Sequence, residues 1–207
     1  MSKSLREDII TANILNEKAN VLMIDENNQE QCINLYDECI SIKSRILGST
    51  HEEVITGKNN LAVMSINLHL EEKALVFFRD VLEAKEQMLG KDHEKVADVH
   101  QSIGLIYKNL QNQELAIYHL QECLTIRKSK LEIDNSKIYD TIYNLGICLA
   151  MQKKFQQALI YFEEANSGYG ICGHESCSSV VLNVDKWIDF VRNKSQSKLR
   201  KVKSTMF

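Results

Sequence analysis

The sequence predicts an all-α protein built from repeated pairs of antiparallel helices. Three features of its 207 residues support this fold class. Similar segments recur every 42 residues, and apolar side chains within each segment follow steps of three and four, which mark one face of a helix. The chain also has no proline and only 8 glycines, so most of the residues that favour turns or break helices are missing.

The connection between successive repeats carries the clearest copy of the pattern. Residues 47–54 read Leu-Gly-Ser-Thr-His-Glu-Glu-Val, and residues 89–96 read Leu-Gly-Lys-Asp-His-Glu-Lys-Val. A third copy at 131–138 keeps the apolar ends but lacks the glycine and the histidine. Because His51 and His93 recur at the repeat period, we expect a shared structural role, such as capping the next helix, rather than catalysis.

Each repeat is predicted to hold a first helix, A, and a second helix, B, joined by a short polar turn. Small residues recur where A meets B and let the two backbones approach closely; a large side chain at Gly104 would push them apart. In the first pair Ala19 falls one place early, which predicts a turn longer by one residue. The predicted pairs are 6–24 with 28–47, 51–68 with 71–89, 93–110 with 113–131, and 135–152 with 155–169.

A last helix at 177–194 is predicted to close the exposed end of the stack. Its apolar residues fall on one side, and Trp187 is expected to be largely buried against the B helix at 155–169. The repeat array is therefore predicted to occupy residues 1–194. Residues 195–207 form a basic tail, which is predicted to be flexible.

Composition and charge limit the kinds of partner and the cellular location that the sequence predicts. The 28 acidic and 25 basic residues leave a formal net charge of −3, so bulk charge does not predict a nucleic acid or a membrane as partner. No apolar window is long enough to span a bilayer, and the N-terminus lacks the apolar core of a secretory signal. Four of the 6 cysteines fall in apolar helical patterns, which favours free thiols and a cytoplasmic location.

The repeated residues resemble the tetratricopeptide repeat, in the long form typical of kinesin light chains. Three columns at the 42-residue spacing match it: a small one (Cys32, Ala74, Ala116, Ala158), an aliphatic one (Ile33, Leu75, Ile117, Leu159) and a bulky one (Tyr36, Phe78, Leu120, Phe162). The linkers at 47–54 and 89–96 and the segment Asn59-Asn60-Leu61-Ala62 on an A helix are also similar. The resemblance covers roughly residues 6–192. It implies a right-handed superhelical solenoid whose concave groove is lined by A helices and receives a peptide or a partner helix. Kinesin light chains also hold the motor chain through a heptad coiled coil, which this sequence lacks, so kinesin heavy chain is not predicted as the partner.

The resemblance also implies which side chains line the groove. Side-chain amides carry donors and acceptors, so Asn60 and Asn144 are suited to bond the backbone of an extended peptide of any sequence; the alternative is that they are solvated or bond neighbouring loops. Val63, Leu105 and Ile147 form an apolar stripe if they are exposed, or pack between A and B if they are not. The full predicted set is Asn59, Asn60, Val63, Asn67, Asp98, Gln101, Ser102, Leu105, Asn109, Asp140, Tyr143, Asn144 and Ile147.

Charge at the mouth of the groove predicts the chemistry of the ligand. In chaperone-binding members of the family, basic residues on the A helices hold a terminal carboxylate. The matching positions here are Thr56, Asp98 and Asp140, and two acids would repel such a group. The predicted ligand is therefore neutral or basic near Asp98 and Asp140.

One cluster suggests metal chemistry instead. Cys172, His174 and Cys177 are possible zinc ligands, but a structural zinc site needs four, and Gly173-His174 also reads as a degenerate copy of the linker. We therefore predict a non-enzymatic interaction scaffold or adaptor without a cofactor. The alternatives are a small metal-dependent enzyme or zinc protein centred on this cluster, and a regulatory fragment of a larger repeat protein.

Overall fold

The computed structural model describes residues 3–22, 28–172 and 183–195, and this part of the chain contains helices and no strand. The helices are α1 (Lys3–Leu22), α2 (Gln29–Leu47), α3 (Glu52–Asn67), α4 (Glu71–Leu89), α5 (Glu94–Asn109), α6 (Gln113–Lys130), α7 (Ser136–Met151), α8 (Phe155–Cys172) and α9 (183–195). The predicted all-α class of antiparallel helix pairs is confirmed. The ends predicted for the first eight helices lie within three residues of the observed ends.

The chain folds as two compact units, Met1–Val99 and His100–Phe207, whose boundary falls inside α5. In the first unit α1 packs on α2, α2 on α3, and α3 on α4. In the second unit α6 packs on α7, and α7 on α8. Consecutive helices are therefore neighbours within each unit.

Small residues occupy the closest approaches between paired helices, as predicted. A Cβ atom added to Gly104 would lie 2.8 Å from Cγ of Leu120, and one added to Gly146 would lie 2.8 Å from Cε1 of Phe162. No larger residue fits at either position without displacing its neighbour. The small residues of the B helices are completely buried: Cys32, Ala74, Ala116 and Ala158.

The three described turns between A and B helices share one backbone conformation. His69, Gln111 and Lys153, at 42-residue spacing, have left-handed φ values of 56°, 58° and 61°. In each turn the next amide donates to a carbonyl five residues earlier, as from Asn112 N to Tyr107 O at 2.9 Å. Glycine usually occupies the left-handed position of this turn, so its absence concealed the conformation from sequence analysis. The corresponding turn of the first pair, at 23–27, lies outside the described residues.

The linker residues also have a local role. Nδ1 of His51 and Nδ1 of His93 each accept a hydrogen bond from the backbone N–H two residues on, at 3.3 Å and 3.1 Å. Oδ1 of Asn135 does the same at 3.1 Å in the third copy of the linker. These bonds confirm the predicted capping role and extend it to the degenerate copy. Gly48 and Gly90, with φ values of 93° and 83°, provide the backbone conformation that precedes the first two caps.

Helix α9 packs against α7 and α8. Val184, Ile188 and Val191 are buried in the same apolar cluster as Phe162 of α8. The Trp187 ring stacks on the Phe162 ring with centroids 5.7 Å apart, and Trp187 keeps part of its surface exposed. The predicted contact with the B helix is therefore present, and the ring packs against the core without being completely buried. The predicted start of this helix and the basic tail include residues 173–182 and 196–207, which lie outside the described part of the chain.

Candidate functional site

The first unit contains an open cavity of about 330 Å³ between α1 and α3, above α2. Its floor is apolar and closely packed, since Cys39, Ile40 and Leu61 are all buried. Its rim is mostly polar and accessible. The residues that line the cavity are Asn16, Asn20, Tyr36, Cys39, Ile40, Lys43, Glu53, Gly57, Asn60, Leu61 and Met64.

Gly57 sets the depth of the floor. A Cβ atom at this position would lie 2.7 Å from Cδ1 of Ile40 and 2.9 Å from its Cγ1. Because glycine has no side chain, Ile40 reaches from α2 to the backbone of α3. A larger residue at 57 would displace Ile40 and change the floor.

Two asparagines on successive A helices stand at the rim with their amides available. Asn16 of α1 and Asn60 of α3 are both exposed, and neither side chain forms a hydrogen bond with another described residue. Each amide therefore offers a donor and an acceptor to a molecule that enters the cavity. The exposure predicted for Asn60 agrees with this placement.

A third asparagine of the rim is held in place by the protein. The Tyr36 hydroxyl donates a hydrogen bond to Oδ1 of Asn20. Burial raises the pKa of Tyr36, so the hydroxyl keeps its proton and remains the donor at neutral pH. This bond fixes the orientation of the Asn20 amide beside Asn16.

One end of the cavity is closed by an ion pair. Lys43 Nζ lies 3.2 Å from Oε2 of Glu53, and the two side chains are 35% and 60% exposed. At this exposure the pair contributes little to stability. It does place two compensating charges at the rim, so this end of the cavity has no net charge.

In the second unit the predicted ligand-binding amide is occupied. Oδ1 of Asn144 accepts from Lys108 Nζ at 2.8 Å, and its Nδ2 donates to the Asp140 carbonyl at 2.8 Å. Asn144 is half-buried, and burial lowers the pKa of Lys108. The Asn144 side chain therefore joins α5 to α7, in contrast to the unbonded amide of Asn60.

The two carboxylates predicted to face the ligand have partners inside the protein. The Tyr169 hydroxyl donates to Oδ1 of Asp140 at 2.6 Å. Asp98 lies near Lys85, whose pKa is lowered by burial and raised in part by this carboxylate. Both acids are half-buried, and each of them has one of these partners within the protein.

Gln101 points its side-chain oxygen into a buried polar cluster. Its Oε1 accepts hydrogen bonds from Arg127 and, at 3.2 Å, from Oγ1 of Thr141. Arg127 is 3% exposed and also donates to Oγ1 of Thr141 at 2.7 Å and to the Lys137 carbonyl at 2.9 Å. This cluster links α5, α6 and α7 within the second unit.

The remaining predicted groove residues differ in exposure. In the apolar column Val63 is exposed, whereas Leu105 and Ile147 are half-buried. Ile147 and Tyr143 pack on the core formed by α7, α8 and α9. The apolar stripe is therefore interrupted, with Val63 as its accessible member. Of the polar positions, the half-buried ones are Asn59 and Ser102, and the exposed ones are Asn67 and Asn109.

Sequence analysis missed the contribution of α1 and of Lys108. Asn16 and Asn20 are about one helical turn apart on α1, where Asn16 lies between the buried Ala12 and Ala19 and Asn20 directly follows Ala19. The shifted position of Ala19 hid this helix from the column comparison, although the spacing of the two asparagines was a usable signal. Nothing in the sequence distinguished Lys108 from other lysines near a helix end.

The possible zinc cluster is described only in part. Cys172 is half-buried at the end of α8, and His174 and Cys177 lie outside the described residues. Among the residues that are described, no group of three His, Cys, Asp or Glu side chains is placed to hold a metal ion. Cys32, Cys39, Cys123 and Cys148 are buried free thiols, and no described helix has the length and apolarity needed to cross a membrane.

Comparison with protein families identifies two repeats. Residues 54–94 and 97–130 each match a family model described as a tetratricopeptide repeat. The first match begins in α3 and ends at the start of α5, and the second spans most of α5 and α6. A comparison with curated protein sequences found no match.

Solved structures share the fold at low sequence identity. BtubC (BKLC) from P. vanneervenii is 20% identical with a TM-score of 0.63, over 79% of this chain and 65% of that one. Nearly identical TPR-like repeats assigned to a kinesin light chain of Podosopora anserina are 13% identical with a TM-score of 0.60, over 95% and 99%. Aspartyl phosphate phosphatase F from Bacillus subtilis is 12% identical with a TM-score of 0.62, over 95% and 53%. The chain thus spans less than two thirds of BtubC, and these identities establish a common fold.

Proposed function

We propose that this chain, in which residues 54–94 and 97–130 match tetratricopeptide repeat models and whose fold is shared with solved TPR-like repeat arrays, is a non-enzymatic scaffold or adaptor that binds a segment of another protein on its A helices. One observation carries the proposal. In the first unit, Asn16 and Asn60 present unbonded amides on two successive A helices above a buried apolar floor.

The chemistry of this cavity suits an extended peptide. A peptide backbone alternates N–H donors and C=O acceptors, and each asparagine amide offers the complement of both. Such bonds do not depend on the side chains of the ligand. Each hydrogen bond contributes a net binding free energy of about 0.5–1.5 kcal/mol. The two amides alone therefore bind more weakly than micromolar recognition requires, and the apolar floor must supply the remaining binding free energy.

Two further A helices carry half-buried acids, Asp98 on α5 and Asp140 on α7. We therefore propose a ligand that is neutral or basic near these two residues. A cytoplasmic setting is part of the same proposal, since the four buried cysteines are free thiols.

Affinity capture with the full chain, followed by mass spectrometry, identifies the partner, and calorimetry then tests the site. The variant carrying both Asn16→Ala and Asn60→Ala should bind the captured partner roughly 5- to 150-fold more weakly, because two hydrogen bonds are lost. Its unfolding midpoint should not change, since both side chains are exposed.

Asn13→Ala is the matched control, because Asn13 is an exposed asparagine of α1 that does not line the cavity. It should bind the partner with the affinity of the unmodified chain. If the double variant also binds with unchanged affinity, the cavity is not the binding site.

A further inference from the structure

We propose that the cavity of the first unit selects one apolar side chain of an extended peptide, which anchors the ligand on the buried floor at Ile40 and Leu61, beside Met64. This inference rests on the function proposed above and names the class of ligand. The peptide backbone lies between Asn16 and Asn60 at the rim, and the anchor points down between α1 and α3.

The floor offers carbon and sulfur contacts rather than polar ones. Ile40 and Leu61 are 7% and 1% exposed, so they are fixed by the packing of α2 on α3 and present a closed apolar surface. Met64 is half-buried beside them, and its flexible thioether adapts to the shape of an incoming side chain. An apolar group placed here exchanges water for apolar contacts on several sides.

The rim disfavours a charged anchor. Lys43 and Glu53, which both line the cavity, form an ion pair at 3.2 Å, so each charge is compensated by the other. A carboxylate or ammonium group of the ligand would compete with one member of this pair for the other. It would also lose hydration above an apolar floor, which is unfavourable for a charge without a partner of its own.

Tyr36 at the rim determines which amides remain available to the ligand. Because the Tyr36 hydroxyl is bonded to Asn20, the ring is held along one wall and that amide oxygen is already used. The unbonded amides, at Asn16 and Asn60, belong to opposite walls of the cavity. A backbone that bonds both must cross the cavity, which places one residue of the ligand over the floor.

Methyl NMR of the full chain, labelled with ¹³C at the methionine methyl groups, tests the selection. The probe is the blocked peptide acetyl-Ser-Gly-Leu-Gly-Ser-amide, compared with the same peptide carrying Ala, Glu or Lys in place of Leu. The Met64 methyl should shift and saturate with the leucine probe. The alanine probe should bind roughly 5- to 50-fold more weakly, as three fewer carbons are buried, and the Glu and Lys probes should bind at least as weakly as alanine.

Two internal controls and one pair of variants accompany the titration. Met88 and Met151 are exposed and do not line the cavity, so their methyl signals should stay in place. Asn60→Trp covers the floor from an exposed position and should abolish the leucine response, whereas Asn13→Trp on the outer face of α1 should preserve it.

The outcomes separate this inference from the function on which it rests. If the Glu or Lys probe moves Met64 as strongly as the leucine probe, or if no probe moves it, apolar selection is overturned. If Met64 responds to leucine as expected while the captured partner ignores the loss of Asn16 and Asn60, the inference holds and the proposed partner site fails. If the partner needs both asparagines but Met64 shows no preference, the proposed function stands without the anchor.

Discussion

At the scale of single residues, Asn60 and Asn144 occupy the same position in two repeats but have different surroundings. The Asn60 amide is exposed and unbonded among the described residues, whereas the Asn144 amide bonds Lys108 and the Asp140 carbonyl. A sequence column therefore identifies the face of a helix on which a side chain lies. Whether that side chain is free or engaged depends on a neighbour from another helix.

This difference predicts opposite effects of the same substitution. Asn144→Ala should lower the free energy of unfolding by about 1 kcal/mol, since the half-buried Lys108 loses a partner. Asn60→Ala should change it by less than about 0.5 kcal/mol. Urea denaturation of the two variants measures both values, and equal losses would contradict the assigned roles.

Cys148 predicts a dependence of stability on alkaline pH. Burial raises the pKa of this thiol from 9.0 to about 11, although the nearby Lys108 opposes the shift. A folded-state pKa above the unfolded value means that the stabilisation is complete below pH 9.0 and is lost as pH rises toward 11. The loss should be on the order of 2 kcal/mol by pH 11.

Denaturation curves measure this loss when they are collected between about pH 8 and pH 11, the range over which the thiol titrates. Cys148→Ala should be less stable than the unmodified chain at about pH 8, because it leaves a small cavity, but it should lack this part of the pH dependence. A variant that loses stability as steeply as the unmodified chain would assign the effect to other groups.

At the scale of elements, helix ends and small-residue columns were predictable because the 42-residue period repeats them in independent places. The shared turn conformation was not predictable, because His69, Gln111 and Lys153 occupy a position where glycine or asparagine is the usual signal. The depth at which Trp187 is buried was also beyond the sequence. A stripe of apolar residues gives the buried face of a helix, but not which of its side chains reach the core.

The left-handed turns contain strain that substitution can remove. A residue with a Cβ atom costs about 1–2 kcal/mol in this conformation, and glycine avoids that cost at the expense of unfolded-state entropy. Gln111→Gly should therefore raise the free energy of unfolding by roughly 0.5–1 kcal/mol, measured by urea denaturation. Asn112→Ala, the control next to it, should lower the free energy, since Oδ1 of Asn112 caps α6 through the Leu115 N–H at 3.2 Å. A destabilised Gln111→Gly would show that the turn is not strained.

Helix α9 predicts an order of importance among its apolar residues. Ile188 is 6% exposed, and Ile188→Ala should lower the free energy of unfolding by about 2–4 kcal/mol. Trp187→Ala should cost about 2 kcal/mol, below the range for a fully buried ring, because part of the ring stays in contact with solvent. Asp189→Ala, on the exposed side, is the control and should be neutral. A Trp187 loss larger than that of Ile188 would indicate deeper burial than the structure has.

At the scale of the whole molecule, the fold class followed from the sequence, and the division into two compact units at Val99 did not. The repeat pattern continues through α5 without a break, so nothing in the spacing marks a boundary. The candidate cavity was also found only in part. Asn60 was identified from its column, but the apolar floor and the α1 wall depend on how α1, α2 and α3 pack together.

Local packing within each unit predicts additive effects across the chain. Gly57→Leu should displace Ile40 in the first unit, and Gly104→Leu should displace Leu120 in the second. Each should lower the free energy of unfolding by roughly 1–3 kcal/mol through overpacking. Since the two sites share no neighbour, the loss in the double variant should equal the sum within about 0.5 kcal/mol. Denaturant titration of the three variants measures it, and a markedly smaller combined loss would indicate coupling between the sites.

The bond from Lys108 to Asn144 has a consequence for how this chain can change over generations. A mutation of either residue removes the hydrogen-bond partner of the other. Natural selection therefore acts on the two residues together, and related sequences should change both of them at once. Asn16 and Asn60 have no such internal companion, and their inheritance should follow the identity of the molecule that they recognise. Asn60 and Asn144 occupy the same position in two repeats, yet they should change at different rates among related sequences. Asn144 should change slowly because it holds two helices together, whereas Asn60 should change whenever the binding partner changes.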